Sequence, residues 1–179
     1  MALARPRQWI KTVAASGTPE SFGRRSISAL VRTANTNLAT ATSTAHGLKV
    51  GDRVDISGAN ETEFNVVDAR VETTADANTF TYRLILPLPT SAPLAASGTI
   101  LATCHVYFRR ATVLGKNAAR TDNTGDVWFG PESTNDSQPF VVNSAGEAKI
   151  ECQAGVKQDI ADWYLDVANN NEGVVLILT

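Results

Sequence analysis

Hydrophobic and polar residues alternate along this chain in short runs, and turn residues break the runs at intervals of about ten positions. The central run lies in residues 104–115, where Val106 and Phe108 alternate with Tyr107 and Arg109, the period of a half-buried strand. Asn123-Thr-Gly-Asp126 supplies a turn, and Val127-Trp-Phe129 opens the next strand. Alternation recurs at 53–57, with Val54 and Ile56 on one face, and at 64–71, 79–84 and 148–153, with Ile150 and Cys152 inward. It recurs again at 160–167, where Ile160, Asp162 and Tyr164 oppose Trp163, Leu165 and Val167. Further strands are predicted at about 9–15, 26–34, 98–103, 140–142 and 174–178. Thr40, Thr42 and Thr44 suit an exposed strand face. Pro87, Pro89 and Pro93 forbid a central strand at 85–96, and residues 131–139 read as a polar loop. No helical period persists beyond about two turns, although residues 158–161 could form one helical or 3₁₀ turn. The pattern predicts an all-β sandwich or barrel.

Composition narrows the partners. The chain has 179 residues, enough for one ordinary domain or two small ones, and is 43% hydrophobic and 19% charged, so it can bury a core. A formal net charge of −2 gives no bulk electrostatic reason to bind nucleic acid or an anionic membrane. No stretch approaches the ~18 apolar residues of a membrane span. The first ten residues lack the apolar run of a signal peptide, so the expected compartment is a cytoplasm or whatever assembles in one. Two cysteines, Cys104 and Cys152, are too few for a disulfide framework and read as small core residues.

Candidate chemistry is sparse. His46 falls in a turn and His105 on an outward strand phase, and neither H-x-x-x-H nor C-x-x-C spacing occurs. Leu114-Gly-Lys-Asn117 fails as a phosphate loop, because position 110 is Arg and Asn117 replaces Ser or Thr. Asp159, Asp162 and Asp166 could form a carboxylate cluster, but a solvated or interfacial strand face is the plainer expectation. Arg24-Arg25 and Arg109-Arg110 lack interleaved aromatics and suit a neighbouring subunit's carboxylates better than nucleic acid. Trp128 and Trp163 read as core or subunit interface. Trp9, beside Arg5 and Arg7, could anchor an extended N-terminal arm into a partner or pack on its own domain. Arg5, Arg7 and Trp9 are therefore the candidate partner contacts. No catalytic, cofactor-binding or metal-binding residues are assigned, and an enzyme is not expected.

One segment carries a recognisable signature. His46-Gly-Leu48, Gly51-Asp52, Val54-Asp-Ile-Ser-Gly58, Phe64-Asn-Val66 and Thr79-Phe-Thr-Tyr82 follow a Thr-rich strand in order. This resembles a small β-barrel module of tailed-phage baseplate, tail and fibre proteins. It departs from that pattern at Glu61-Thr-Glu63, where an aromatic-Asn-Gly is usual. The flanks resemble a virion β-sandwich cut in two: 13–19 as its opening strand, then 124–130, Gly146, 159–167 and 172–177 as the remainder. The resemblance implies an all-β fold: a jelly-roll-like β-sandwich from residues 1–33 and 104–179, with a small β-barrel inserted at 34–103. It implies a structural protein of a tailed-phage virion, above all a capsid decoration or cement protein that binds the major capsid protein as a homotrimer, without cofactor. A tail, baseplate or head-fibre component is the alternative within the particle. A host-glycan-binding module is the alternative outside that class, against which stand the few aromatics, 7% of residues.

Overall fold

The structure, a computed structural model, describes residues 6–85, 92–117, 119–131, 140–153 and 156–179. The described chain is all-β apart from two single 3₁₀ turns, Thr62–Phe64 and Ile160–Asp162. It forms two compact units, one from residues 1–22 and 107–179 and the other from 23–106.

The first unit opens with strand β1 (Arg7–Thr12) and β2 (Glu20–Ser21). The chain then enters the second unit through β3 (Arg24–Ser26), β4 (Ala29–Arg32), β5 (Leu38–Thr42), β6 (Arg53–Ala59), β7 (Val66–Thr74), β8 (Thr79–Arg83), β9 (Leu94–Ala95) and β10 (Gly98–His105). It returns to the first unit with β11 (Tyr107–Phe108), β12 (Arg110–Leu114), β13 (Val127–Gly130), β14 (Phe140–Val142), β15 (Glu147–Glu151), β16 (Gln158–Asp159), β17 (Tyr164–Val167) and β18 (Gly173–Leu178).

The first unit is a sandwich of two antiparallel four-stranded sheets, ordered β1-β18-β12-β15 and β14-β13-β17-β2, with β11 and β16 as a small extra pair. β18 lies between β1 and β12, and five of its six residues are buried, which is why Val174-Val-Leu-Ile-Leu178 is a continuous apolar run. Gly173 lies against β1 so closely that a Cβ there would sit 2.0 Å from the Lys11 carbonyl oxygen. Trp9, Val113, Leu176, Phe129, Leu165 and Val167 belong to the core of this unit.

The second unit is one antiparallel sheet ordered β3-β10-β6-β7-β8-β5-β4-β9. Its two ends are continuous with its interior, because residues 24–32 make up both β3 and β4 and residues 94–105 make up both β9 and β10. β3 pairs with β10 and β4 with β9, and Ile27 N–H donates to Ile100 O (3.0 Å) and Ala96 N–H to Leu30 O (2.8 Å) in between. The sheet therefore curls round until these two segments pair along their length, with β3 and β9 at the two ends of its order. Side chains are matched across its interior: Ala39 opposes Tyr82 and Ala41 opposes Phe80, while Ala102 opposes Ile56 and Cys104 opposes Val54. Small residues facing large ones let a narrow barrel fill without voids.

The unit boundaries fall at 22/23 and 106/107, where the sequence placed them at 33/34 and 103/104. β3 and β4 account for the shift, since they belong to the second unit's sheet and pair with none of the first unit's strands. The alternation over 160–167 is not one strand, and the 3₁₀ turn that the sequence offered at 158–161 forms slightly later. Ile160–Asp162 is a 3₁₀ turn capped by the Asp159 carboxylate on Ala161 N–H, and strand geometry begins at Tyr164. Of the predicted polar loop at 131–139, residues 132–139 lie outside the described residues, as do Pro87 and Pro89.

Candidate functional site

A polar cluster lies at the loops of the first unit. Glu172, at the foot of β18, accepts on one carboxylate oxygen the backbone N–H of Thr124 (2.5 Å), its hydroxyl (2.7 Å) and the N–H of Gly125 (3.1 Å). Beside it, the Asn123 side-chain amide donates to Gly173 O (2.7 Å). The Glu172 backbone carbonyl takes Val13 N–H and the Val13 carbonyl takes Asn171 N–H, both at 2.9 Å. Asp166, buried on β17, accepts Gly17 N–H (2.9 Å) and its neighbour Val167 N–H (2.8 Å). Burial pushes the Glu172 carboxyl upward, but the Thr124 hydroxyl and the N–H groups of Thr124 and Gly125 outweigh it and hold the group below its ordinary value. A carboxylate so occupied is a tie between loops, with one oxygen saturated by donors.

The signature residues of the second unit are likewise committed to backbone. His46 is buried and accepts Leu48 N–H on Nδ1 (3.0 Å), which fixes the proton on Nε2, directed at Asp76 O (3.2 Å). Burial lowers its pKa. Asp52 accepts Lys49 N–H (2.6 Å), and Asn65 brackets Ala59, accepting its N–H (3.0 Å) and donating to its carbonyl (2.9 Å). The Tyr82 hydroxyl donates to Phe64 O (2.9 Å), and burial raises its pKa. Gly58 has φ +84°, and a Cβ there would lie 2.1 Å from Thr99 O. At the departure from the phage pattern, Glu61 accepts the N–H (2.6 Å) and hydroxyl (2.9 Å) of Ser97.

The partner-contact candidates are placed unequally. Arg5 lies outside the described residues. Arg7 and Trp9 belong to β1, paired opposite Leu178 and Leu176, so the segment read as an extended arm is in part a sheet strand. Trp9 is 1% exposed, donates its indole N–H to Phe22 O (2.8 Å) and carries the Arg7 guanidinium 5.4 Å from its ring centre. Of the two uses open to Trp9, packing on its own unit is the one observed.

The remaining candidates are dispersed. Asp159 caps its 3₁₀ turn while Asp166 holds Gly17, and among the described residues no three His, Cys, Asp or Glu side chains gather as a metal site. His105 Nε2 lies 3.2 Å from Asp55 on the neighbouring strand, and Arg110 pairs with Glu151 (3.4 Å) at the surface. Cys104 is buried, Cys152 half-buried, and both are free thiols. Trp163 is buried and contacts Phe108, Phe129 and Phe140, whereas Trp128 is half-buried on β13.

What the sequence left unremarked is the character of β14. Phe140-Val-Val142 read as a short apolar strand, and the structure puts it at a sheet edge with Phe140 39% and Val141 48% exposed. The signal was present, since this strand has no polar residue in alternation. No family model matches the chain, and no curated protein matches its sequence.

Proposed function

We propose that this chain is a structural protein of a tailed-phage particle, a capsid decoration or cement protein that adds contacts where major capsid subunits meet. The observation that carries this is the use made of the polar signature residues. His46, Asp52, Asn65 and Tyr82 each bind backbone within the second unit, and Glu172, Asn123 and Asp166 do the same in the sandwich. Such groups fix shape, and a protein that works by shape and burial is what the resemblance of the barrel and sandwich motifs implies. Contacts made only with the assembled shell stabilise that state by mass action.

The test is to mix the purified protein with undecorated expanded capsids and image them by cryo-electron microscopy. Regular added density at subunit junctions is expected. Bare capsids would overturn the decoration role and direct the search to tail, baseplate and head-fibre positions, where the barrel module is at home. A glycan array reads the remaining alternative, host-glycan binding.

A further inference from the structure

In the first unit the polar groups of Glu172, Asn123, Asp166 and Trp9 are committed to the unit's own backbone. One sheet face departs from this. Val127, Phe129, Leu165 and Val167 are core residues of β13 and β17, so strand alternation turns Trp128, Tyr164 and Asp166 to the opposite face. The register sets Trp128 opposite Asp166 and Gly130 opposite Tyr164. Trp128 and Tyr164 are therefore diagonal neighbours, near enough for two aromatic rings to line one surface, and Gly130 puts no side chain at the corner between them. Both aromatic residues are half-buried. Asp126 extends the same face: it is exposed, lies two residues before Trp128, and its carbonyl takes Ala168 N–H (2.9 Å), continuing the ladder. Among the described residues, the Trp128 indole N–H, the Tyr164 hydroxyl and the Asp126 carboxylate have no hydrogen-bond partner.

We propose that this face binds a neutral saccharide, stacked on Trp128 and Tyr164 and hydrogen-bonded by the Asp126 carboxylate and the Trp128 indole N–H. A pyranose ring has an apolar C–H face and a rim of hydroxyls, each of them donor and acceptor. The aromatic rings match the first, and the uncommitted acceptor of Asp126 and donor of Trp128 match the second. Charge selects the class of sugar. The outward positions of this sheet are Asp126, Trp128 and Gly130 on β13, Tyr164 and Asp166 on β17, and Val141 on β14, with no Lys, Arg or His among them. A sialylated or sulfated sugar would meet like charge here. The same charges argue against a protein partner, because the centre of a protein interface is depleted of charged residues and this tryptophan lies between two carboxylates. The site does not rest on the decoration role, and its test uses no capsids.

The test is intrinsic tryptophan fluorescence of the full chain, titrated into the millimolar range with N-acetylchitotetraose, cellotetraose and maltotetraose, and with a heparin tetrasaccharide as the anionic comparison. Trp9 and Trp163 are buried, so a sugar laid on this face is reported by Trp128. A saturable change with at least one neutral oligosaccharide is expected, and none with the heparin fragment. Trp128→Ala should weaken binding about tenfold or more, read by calorimetry, and Asp126→Ala about threefold or more, each with the wild-type circular dichroism. Asp126 is exposed, so its variant decides the matter even if Trp128→Ala does not fold. No saturable change with any neutral oligosaccharide, tighter binding of the heparin fragment, or wild-type affinity in folded Asp126→Ala would each overturn the site. Self-association of the wild type in sedimentation that Trp128→Ala or Asp126→Ala abolishes would also overturn it, by making the face a contact between copies of the chain. None of these outcomes bears on capsid binding, which the imaging experiment reads separately.

Discussion

Glu172 holds Thr124 by both its backbone N–H and its hydroxyl, at 2.5 and 2.7 Å on the same carboxylate oxygen, across 48 residues of chain. With Asn123 bonded to Gly173, this joins the loop leading into β13 to the terminal strand. Hydrogen bonds to a charged acceptor contribute more than neutral ones. Glu172→Gln should therefore cost about 1–3 kcal/mol in chemical denaturation at neutral pH. The carboxyl is held below its ordinary value in the folded state, so its contribution is complete above the unfolded value and lost as pH falls through the folded one. The wild type should lose stability relative to Glu172→Gln only in that acidic window, and the difference between their unfolding curves measures it.

His46 gives the barrel a pH dependence at a milder pH. Its Nδ1 must stay unprotonated to accept Leu48 N–H, and burial depresses its pKa. As pH falls below the ordinary histidine value the unfolded chain takes up the proton first, so stability falls with pH until the folded form also titrates. Asp76 opposes the depression and Arg25 adds to it. Urea unfolding from pH 7.5 down to 5 should show this loss, and His46→Asn should flatten it while lowering stability at pH 7.5. An equal pH slope in the two proteins would remove His46 as its source.

Gly58 tests the close approach of β6 to β10. Its φ of +84° disfavours any L side chain, and a Cβ would press to 2.1 Å from the Thr99 carbonyl oxygen, where β10 bends beside β6. Gly58→Ala should cost about 3 kcal/mol or more, because the strained backbone and the clash act together. Tyr82→Phe keeps the ring and removes only the bond to Phe64 O, so a loss of about 1–2 kcal/mol is expected. Unfolding monitored on the isolated substitutions reads both.

The strands of this fold were legible wherever alternation met a clear turn. Val54 and Ile56, Phe80 and Tyr82, and Ile150 all point inward as the two-residue period predicts. The curl of the second unit's sheet was not legible, because it depends on residues 24–32 bending from one end of the sheet to the other, and no local pattern marks a strand that serves two partners. Residues 158–161 read either as one helical or 3₁₀ turn or as the start of an alternating strand, and the structure takes the turn, at Ile160–Asp162, with Ile160 and Trp163 both buried across it. Glu172 carried no local sign of its role, because only the return of residues 123–125 to the same place gives its carboxylate donors.

Trp9 separates a folding role from a docking one. Its indole is buried beside Phe22 and its N–H is bonded to the Phe22 carbonyl, so Trp9→Ala removes a large side chain and leaves a buried acceptor. The expected cost is about 3–5 kcal/mol, concentrated in the first unit. Trp9→Phe should recover most of the packing and lose the hydrogen bond, for about 1–2 kcal/mol. Deleting residues 1–9 removes Arg7–Trp9 from β1 and should destabilise the sandwich as strongly as Trp9→Ala. Any loss of particle association in that deletion would therefore follow from unfolding. Thermal unfolding of the three proteins, followed by tryptophan fluorescence, decides it: a fully stable Trp9→Ala variant would show that the indole is not part of the core and would return it to the surface.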